Sequence, residues 1–356
     1  MHTVFFSLLF SLLLALPVTA AKLEVVAESP YQWTGLALSR EQRMFVCYPT
    51  WRNYPRFKVA ELVRGKAVAY PDAVTAAAFS CVQSVYADAR DYLWVLDTGK
   101  PRGQQPRVGT AKLYKFDLRT NKLAWQYAFP PAVDLAASYL NDVRVDTRRH
   151  YAYLTDSGAG GIVVVKLPEE KSNSARQQTW EKARRSSAAG QPSSWRALTD
   201  IPQVLAQQEG INFSSTGYDK HQTHSDGLAL TGDGRTLYFA PMTGQTLYSI
   251  ATAKLRDSGL SVTQRARAIK VVSAKSVPTD GLWLREQKIY MGDLAREGLF
   301  VYDLQQKQGT PLPVPVPVRW ADSFAAAPQG DLYFTTSQIN YRNQPPEPYR
   351  IYKLKR

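Results

Sequence analysis

Six segments of the 356-residue chain repeat one pattern, and that recurrence constrains the fold more than any single motif. Each is a polar residue, a small or turn residue, then an apolar run. They are Trp33-Thr34-Gly35-Leu36-Ala37-Leu38, Val82-Gln83-Ser84-Val85-Tyr86-Ala87, Leu140-Asn141-Asp142-Val143-Arg144-Val145, Ser225-Asp226-Gly227-Leu228-Ala229-Leu230, Thr279-Asp280-Gly281-Leu282-Trp283-Leu284 and Ala321-Asp322-Ser323-Phe324-Ala325-Ala326. Self-similarity of this kind marks a repeat architecture, in which each unit buries its apolar face against its neighbours. About ten residues after each polar position a second apolar run begins, at Met44, Leu93, Ala152, Leu237, Ile289 and Leu332. The links carry hairpin chemistry, as in Gly232-Asp233-Gly234 and Gln329-Gly330, because glycine supplies the positive φ that tight turns need. Third runs follow over 112–117, 161–167, 247–250, 298–304 and 349–354, and fourth runs over 122–129 and 269–273. Short or alternating apolar runs are strand signals, and helical periodicity is scarce.

Six units of about four strands predict an all-β, six-bladed β-propeller, a ring that leaves only short, protected edges. The sixth unit shows three runs, and Lys22-Leu23-Glu24-Val25-Val26 is expected to add its outer strand and close the ring. A seven-bladed ring with one degenerate unit, or a pair of β-sandwiches, accounts less well for the six-fold register. The longest interval, from Asn141 to Asp226, predicts an insertion over 169–220 between blades three and four, with a short helix at 201–208.

Composition narrows the class. A hydrophobic content of 44%, with 20 Tyr, 13 Phe and 8 Trp, sustains a large core and excludes a disordered chain. The net charge of +14 is scattered, densest at Arg184-Arg185 and Lys353-Leu354-Lys355-Arg356. That reads as a solvated basic surface and not a nucleic-acid footprint. Residues 1–20 hold an apolar run over 4–16 stopped by Pro17, then Val18 and Ala20 at the −3 and −1 positions of a cleavage site. This predicts a secretory signal peptide, too short to span a bilayer comfortably. The propeller is then 21–356, secreted or periplasmic, without a transmembrane segment, and monomeric. Two cysteines, Cys47 and Cys81, lie in strand-like runs of neighbouring blades. An export route permits a disulfide between them, and that bond is the expectation.

Several motifs resemble catalytic signatures and are set aside on geometry. Val95-Leu96-Asp97-Thr98-Gly99 and Leu154-Thr155-Asp156-Ser157-Gly158 look like aspartic-protease motifs. Equivalent strand ends of consecutive blades do not bring two carboxylates to the roughly 3 Å such a dyad needs. His221 and His224 have only His2 and His150 beside them in the chain, so no closed histidine zinc site is available. Gly158-Ala159-Gly160-Gly161 leads into a strand and not a helix, so it is no phosphate cradle.

The polar ring is the stronger candidate. Inner strands of a propeller start at one mouth of the channel, so Thr34, Gln83, Asn141, Asp226, Asp280 and Asp322 should face a shared space, with Trp33, Trp320 and Tyr139 beside them. Three carboxylates crowded together raise one another's pKa, and a cation, a cationic ligand or hydrogen bonds must offset them. These residues are the predicted ligand-binding set. The plainer alternative is that they cap strands and hold channel waters.

At this point a resemblance becomes specific. "CVQSVYADARDYLWVLDTG" (81–99), "YLNDVRVDTRRHYAYLTDSG" (139–158), "SDGLALTGDGRTLYFAPM" (225–242) and "WADSFAAAPQGDLYFTTSQI" (320–339) resemble the major royal jelly/yellow protein family, as does "FVCYPTW" (45–51). The likeness spans about 30–356, nearly the whole mature chain. It implies a six-bladed propeller whose central cavity binds small aromatic amines or catechols, with dopachrome conversion among some insect relatives. The chain departs from insect members in having just two cysteines. The related gluconolactonase/senescence-marker propellers hold a divalent metal at this mouth. That resemblance implies Asn141, Asp226 and Asp280 as ligands of a hard cation such as calcium. Thr34 stands where those propellers carry a Glu, against lactonase chemistry. The resulting expectation is a propeller that binds, and in a catalytic version isomerises, a small cationic or catechol-like aromatic compound. The alternatives are a metal-dependent lactonase or ester hydrolase, and a non-enzymatic protein-interaction scaffold.

Overall fold

In a computed structural model, which describes residues 21–51, 53–105, 107–169, 193–206, 223–341 and 344–355, the apolar runs fold into six antiparallel four-stranded sheets. The inner strands are Leu36–Leu38, Val82–Ala87, Leu140–Asp146, Ser225–Leu230, Leu282–Arg285 and Ala321–Ala326. The fold is a six-bladed β-propeller. Blade six is composite, in the order Lys22–Ser29, Tyr349–Lys355, Leu332–Thr336, Ala321–Ala326. Its outer pairing runs from Lys22↔Lys355 to Ser29↔Tyr349. The expected signal segment 1–20 lies outside the described residues, as do His221 and the stretches 170–192 and 207–222. Within the expected insertion, Ser193–Thr199 pairs with Gly161–Lys166 as the outer strand of blade three. The described part of the expected helix, 201–206, is turn. Among the described residues no helix is long and apolar enough to cross a membrane.

The core sits between blades. Leu96, Leu113 and Phe129 of blade two meet Val143, Leu154 and Val163 of blade three in one buried cluster. Equivalent clusters fill the other junctions. Each such side chain contributes about 1.5–3 kcal/mol of transfer free energy, set against the entropy of ordering the chain.

Three devices bring the inner strands together at their starts. First, four of them bulge there: the register shifts between Val82/Ser84, Leu140/Val143, Ser225/Leu228 and Ala321/Phe324. A bulge frees residues from the ladder and re-aims their side chains. Second, threonines on the second strands staple one blade to the next. The Thr155 hydroxyl accepts from Asp142 N in its own blade and donates to Asp226 O at 2.5 Å. Thr335 likewise accepts from Ser323 N and donates to Thr34 O at 2.7 Å. Third, glycine permits contact. A Cβ at Gly281 would lie 1.7 Å from Asp322 O, and one at Gly227 would lie 2.1 Å from Asp280 O.

The expected disulfide does not form; Cys47 and Cys81 are free, buried thiols. Adjacent strands do not guarantee facing side chains. Cys47 Sγ accepts from Gly35 N at 3.2 Å and lies 3.5 Å from Thr34 Oγ1, while Cys81 Sγ lies 3.6 Å from the Tyr139 hydroxyl. Burial pushes Cys47 up to about 12 and Cys81 up to about 11, so neither is a thiolate near neutral pH.

Two outcomes follow from this packing. A thiol reagent such as Ellman's should count no reactive cysteine in the native protein and two after denaturation without reductant; one or none after denaturation would restore the disulfide. Gly281→Ala forces the Asp322 backbone away and should destabilise by about 1–3 kcal/mol or more, on the scale of other overpacking changes. A wild-type-like denaturant midpoint would show that the strand starts are not in close contact.

Candidate functional site

The polar residues at the strand starts divide into a connected acidic set and a set spent on structure. Asn141 Nδ2 donates to Asp226 Oδ2 at 2.8 Å and to Ser157 Oγ at 3.0 Å. Asp226 and Asp280 are hydrogen-bonded to each other, and Trp320 Nε1 donates to Asp280 Oδ2 at 2.6 Å. Asp322 adjoins them closely enough for its charge to act on Asp226. Asn141, Asp226, Asp280, Asp322 and Trp320 are therefore brought together across blades three to six.

On the opposite side, Gln83 Oε1 accepts from the Tyr139 hydroxyl at 3.0 Å, and that hydroxyl accepts from Trp51 Nε1 at 2.7 Å. The guanidinium of Arg102 stacks over Trp51, 4.5 Å from its centroid. Thr34 is not free to meet a ligand: its hydroxyl donates to Gln83 O at 2.8 Å. Trp33 is packed in the junction of blades six and one against Tyr48, away from the acidic set. Trp320 is almost fully buried and holds φ at 64°. A bulky residue there costs about 1–3 kcal/mol and persists only where its surroundings enforce it.

The protease-like aspartates are latches. Asp97 accepts from Ser80 N, Cys81 N and Gly99 N. Asp156 accepts from Tyr139 N, Ala159 N and Arg196. Each fixes the chain just before a ring residue of its own blade, Gln83 and Asn141. His224 Nδ1 accepts from Ala206 N at 2.7 Å and anchors a loop.

Charge is the distinctive property of the acidic set. Burial, then the Asp280 charge, raises Asp226 well above the ordinary carboxylate range. Burial and Asp280 do the same to Asp322. Asp280 is raised to about 6 by burial, with the Trp320 and Asp226 hydrogen bonds opposing the rise. Among the described residues, no lysine or arginine pairs with any of the three. Among the described residues Asp322 Oδ2 is buried without a well-formed hydrogen bond, although Ser337 and Ser323 lie near enough to hold the carboxyl's pKa down in part.

These residues do not fit a resident hard metal ion. Asn141 turns its N–H₂ toward Asp226, and the Asp280 oxygen faces the Trp320 N–H, so protons occupy directions where a cation needs lone pairs. Among the described residues no group of three His, Cys, Asp or Glu is arranged around a common centre.

Reading the repeat one position at a time misses the layer beneath. Asp142, next to Asn141, accepts from Ser84 Oγ and from Arg144, both at 2.8 Å. The signal was present: Arg144 stands in register with Ala37, Tyr86, Ala229, Trp283 and Ala325, and one cation among five uncharged residues is an anomaly.

A family model described as Major royal jelly protein matches residues 80–282. Protein yellow of Drosophila yakuba is 25% identical over 268 residues, covering 68% of this chain and 46% of its own length. Protein yellow of Drosophila pseudoobscura pseudoobscura is 26% identical over 241 residues, covering 60% and 39%. The chain thus spans less than half the length of these relatives. A gluconolactonase from Xanthomonas campestris superposes with a TM-score of 0.55 at 15% identity, over 94% of this chain and 89% of its own. Regucalcin, a calcium-binding protein from Agrobacterium tumefaciens, gives 0.54 at 12% identity, over 95% and 93%. At these identities the structural likeness is one of fold alone.

The raised carboxylates make stability depend on pH with a defined sign. A carboxyl whose folded pKa exceeds its unfolded value binds its proton more tightly when folded. Its contribution is complete below the unfolded pKa and is lost as pH rises through the folded one. For Asp280 that window runs from 3.8 to about 6, and the raised Asp226 and Asp322 extend the loss upward. The unliganded protein should therefore lose thermal stability across this range. Asp280→Asn should flatten the loss, since it removes one titration and relieves the other two. Parallel melting profiles for the two proteins would contradict this electrostatic account.

Proposed function

The chain belongs to the major royal jelly protein family, and from that premise we propose that its channel mouth binds a small cationic aromatic compound, an aromatic amine with or without catechol hydroxyls. One observation carries the reading: among the described residues, three buried carboxylates share a site with no basic partner, and one oxygen, Asp322 Oδ2, has no well-formed hydrogen bond beyond the nearby Ser337 and Ser323. An ammonium group supplies both the missing charge and the missing donors. Trp51, Tyr139 and Trp320 surround the site with aromatic faces, which favour a planar cationic ligand through stacking and cation–π attraction. The carboxylates are only 3–5% exposed, so the ligand enters by displacing rim side chains, of which Trp51 and Tyr139 are half-buried.

Isomerisation is the catalytic extension of this reading. The Asp226–Asp280 pair holds a proton donor beside an acceptor, the two functions that moving a proton within one substrate requires. The apolar run at 4–16 makes export to a secreted or periplasmic location, as a monomer, part of the same proposal.

Phenethylamine and dopamine should each raise the melting temperature at neutral pH, while phenylacetate, which carries the opposite charge on a similar frame, should not. Asp226→Asn should weaken amine binding by about tenfold to hundredfold, the scale of one charge-assisted hydrogen bond. The unliganded variant should remain close to wild type in stability, because relieved repulsion offsets the lost bond. Equal response to amine and phenylacetate, or undiminished amine binding by the variant, would remove the reading.

A further inference from the structure

Directly beneath the acidic set, one side chain crosses the channel. Arg144 leaves the inner strand of blade three, and its guanidinium donates to Asp142 Oδ1 and Val143 O, both at 2.8 Å. It also reaches Leu282 O of blade five at 3.3 Å. The same group lies over the ring of Tyr86 from blade two, at 5.5 Å, and over Trp283 from blade five, at 5.8 Å. It is 7% exposed. In register with it the other three blades carry Ala37, Ala229 and Ala325, all buried. Arg144, Tyr86 and Trp283 thus meet in one layer, while the three alanines pack into the clusters between blades and leave that layer to the large side chains.

From this arrangement we propose that Arg144 is a specificity-determining residue: it closes the channel under the carboxylates and cancels the charge of Asp142, confining the site to short monocations that enter from the mouth. The inference rests on reading the mouth as a cation site. Its physical basis is a charge count. A guanidinium does not lose its proton in a protein, so Arg144 is a fixed positive charge, and Asp142 answers it. Burial and the Asp280 charge disfavour the ionised forms of Asp226 and Asp322. The negative charge open to a ligand is therefore smaller than three ionised carboxylates would carry, which suits a monocation better than a dication. Without Arg144, the Asp142 carboxylate would lose its ion-pair partner beneath the site, and the space between Tyr86 and Trp283 would open.

Charge and depth can be separated by three variants. The probes are phenethylamine, the longer monoamine 4-phenylbutylamine, and the diamine 4-(aminomethyl)phenethylamine, with calorimetry as the readout. Arg144→Ala should raise the diamine-to-monoamine affinity ratio by about tenfold or more, since a second buried charge acts at short range. Arg144→Lys keeps a cation near Asp142 but withdraws from Leu282 O. It should leave that ratio as in wild type while improving 4-phenylbutylamine. Should Arg144→Ala fail to fold because Asp142 is left unpaired, Asp142→Asn with Arg144→Met removes both charges together. The wild-type ratio should then persist while the longer monoamine gains.

The possible results are distinguishable. If wild type binds monoamines and every foldable variant keeps its ratio and its length preference, the role of Arg144 is refuted and the cation site stands. If wild type binds none of the amines but Arg144→Ala binds the diamine, the proposed function fails and Arg144 as the barrier stands. Binding by neither overturns both.

Discussion

Closing a ring of sheets is the constraint on which the rest of this structure depends. A blade has two edges, and only the inner six are protected by one another; the outer ring closes when Lys22–Ser29 pairs with Tyr349–Lys355. Closure forces six inner strands to begin within bonding distance of each other. At that distance a side chain beyond glycine is excluded at Gly227 and Gly281. Backbone groups that have left the ladder at the bulges must find partners elsewhere, because a buried unpaired amide is costly. Thr155 and Thr335 are the partners, and each bonds the next blade in doing so. The polar side chains that result are therefore a product of closure: the bulges that complete the ring also turn Asn141, Asp226 and Asp322 out of their ladders.

This explains which parts of the protein were legible in its sequence. Strand pairs, turns and six-fold register are local patterns, and hairpins with their Gly-rich links declare themselves over about ten residues. The grouping of Asn141, Asp226, Asp280 and Asp322 was foreshadowed by their equivalent places in the repeat, whereas Thr34 bonds to Gln83 and Gln83 to Tyr139. What each polar side chain does was not. Thr34 and Asp226 occupy equivalent positions in the repeat, yet Thr34 is consumed by a bond to Gln83 O while Asp226 shares a proton. Trp33 and Trp320 are each one or two residues before a ring position, and they point to opposite fates, core and site. A bulge shifts the facing of side chains by one residue, and no periodicity reports where a single bulge falls. The cysteines failed for a related reason. Blade adjacency places their strands together but leaves the direction of each thiol to local register.

The contrast among the buried acids is the strongest argument that the mouth serves a ligand. Several other buried carboxylates of this chain have an ion-pair partner, and Asp97 has three backbone N–H donors instead. Asp156 has Arg196 at 2.6 Å, and although burial opposes it, that guanidinium holds Asp156 below its ordinary range. Asp134 has Lys100 at 2.6 Å, and Asp142 has Arg144. Asp226, Asp280 and Asp322 have no such partner among the described residues, although their blades are otherwise well packed. Leaving three acids to repel one another lowers stability, and so does holding Trp320 at a positive φ with its indole against Asp280. Costs of this kind collected at one end of a channel are what a protein accumulates where binding, and not folding, sets the requirement. Arg144 fits the same logic from below. It is placed to neutralise Asp142 alone, so the deficit above it is preserved, as the proposed cation site requires.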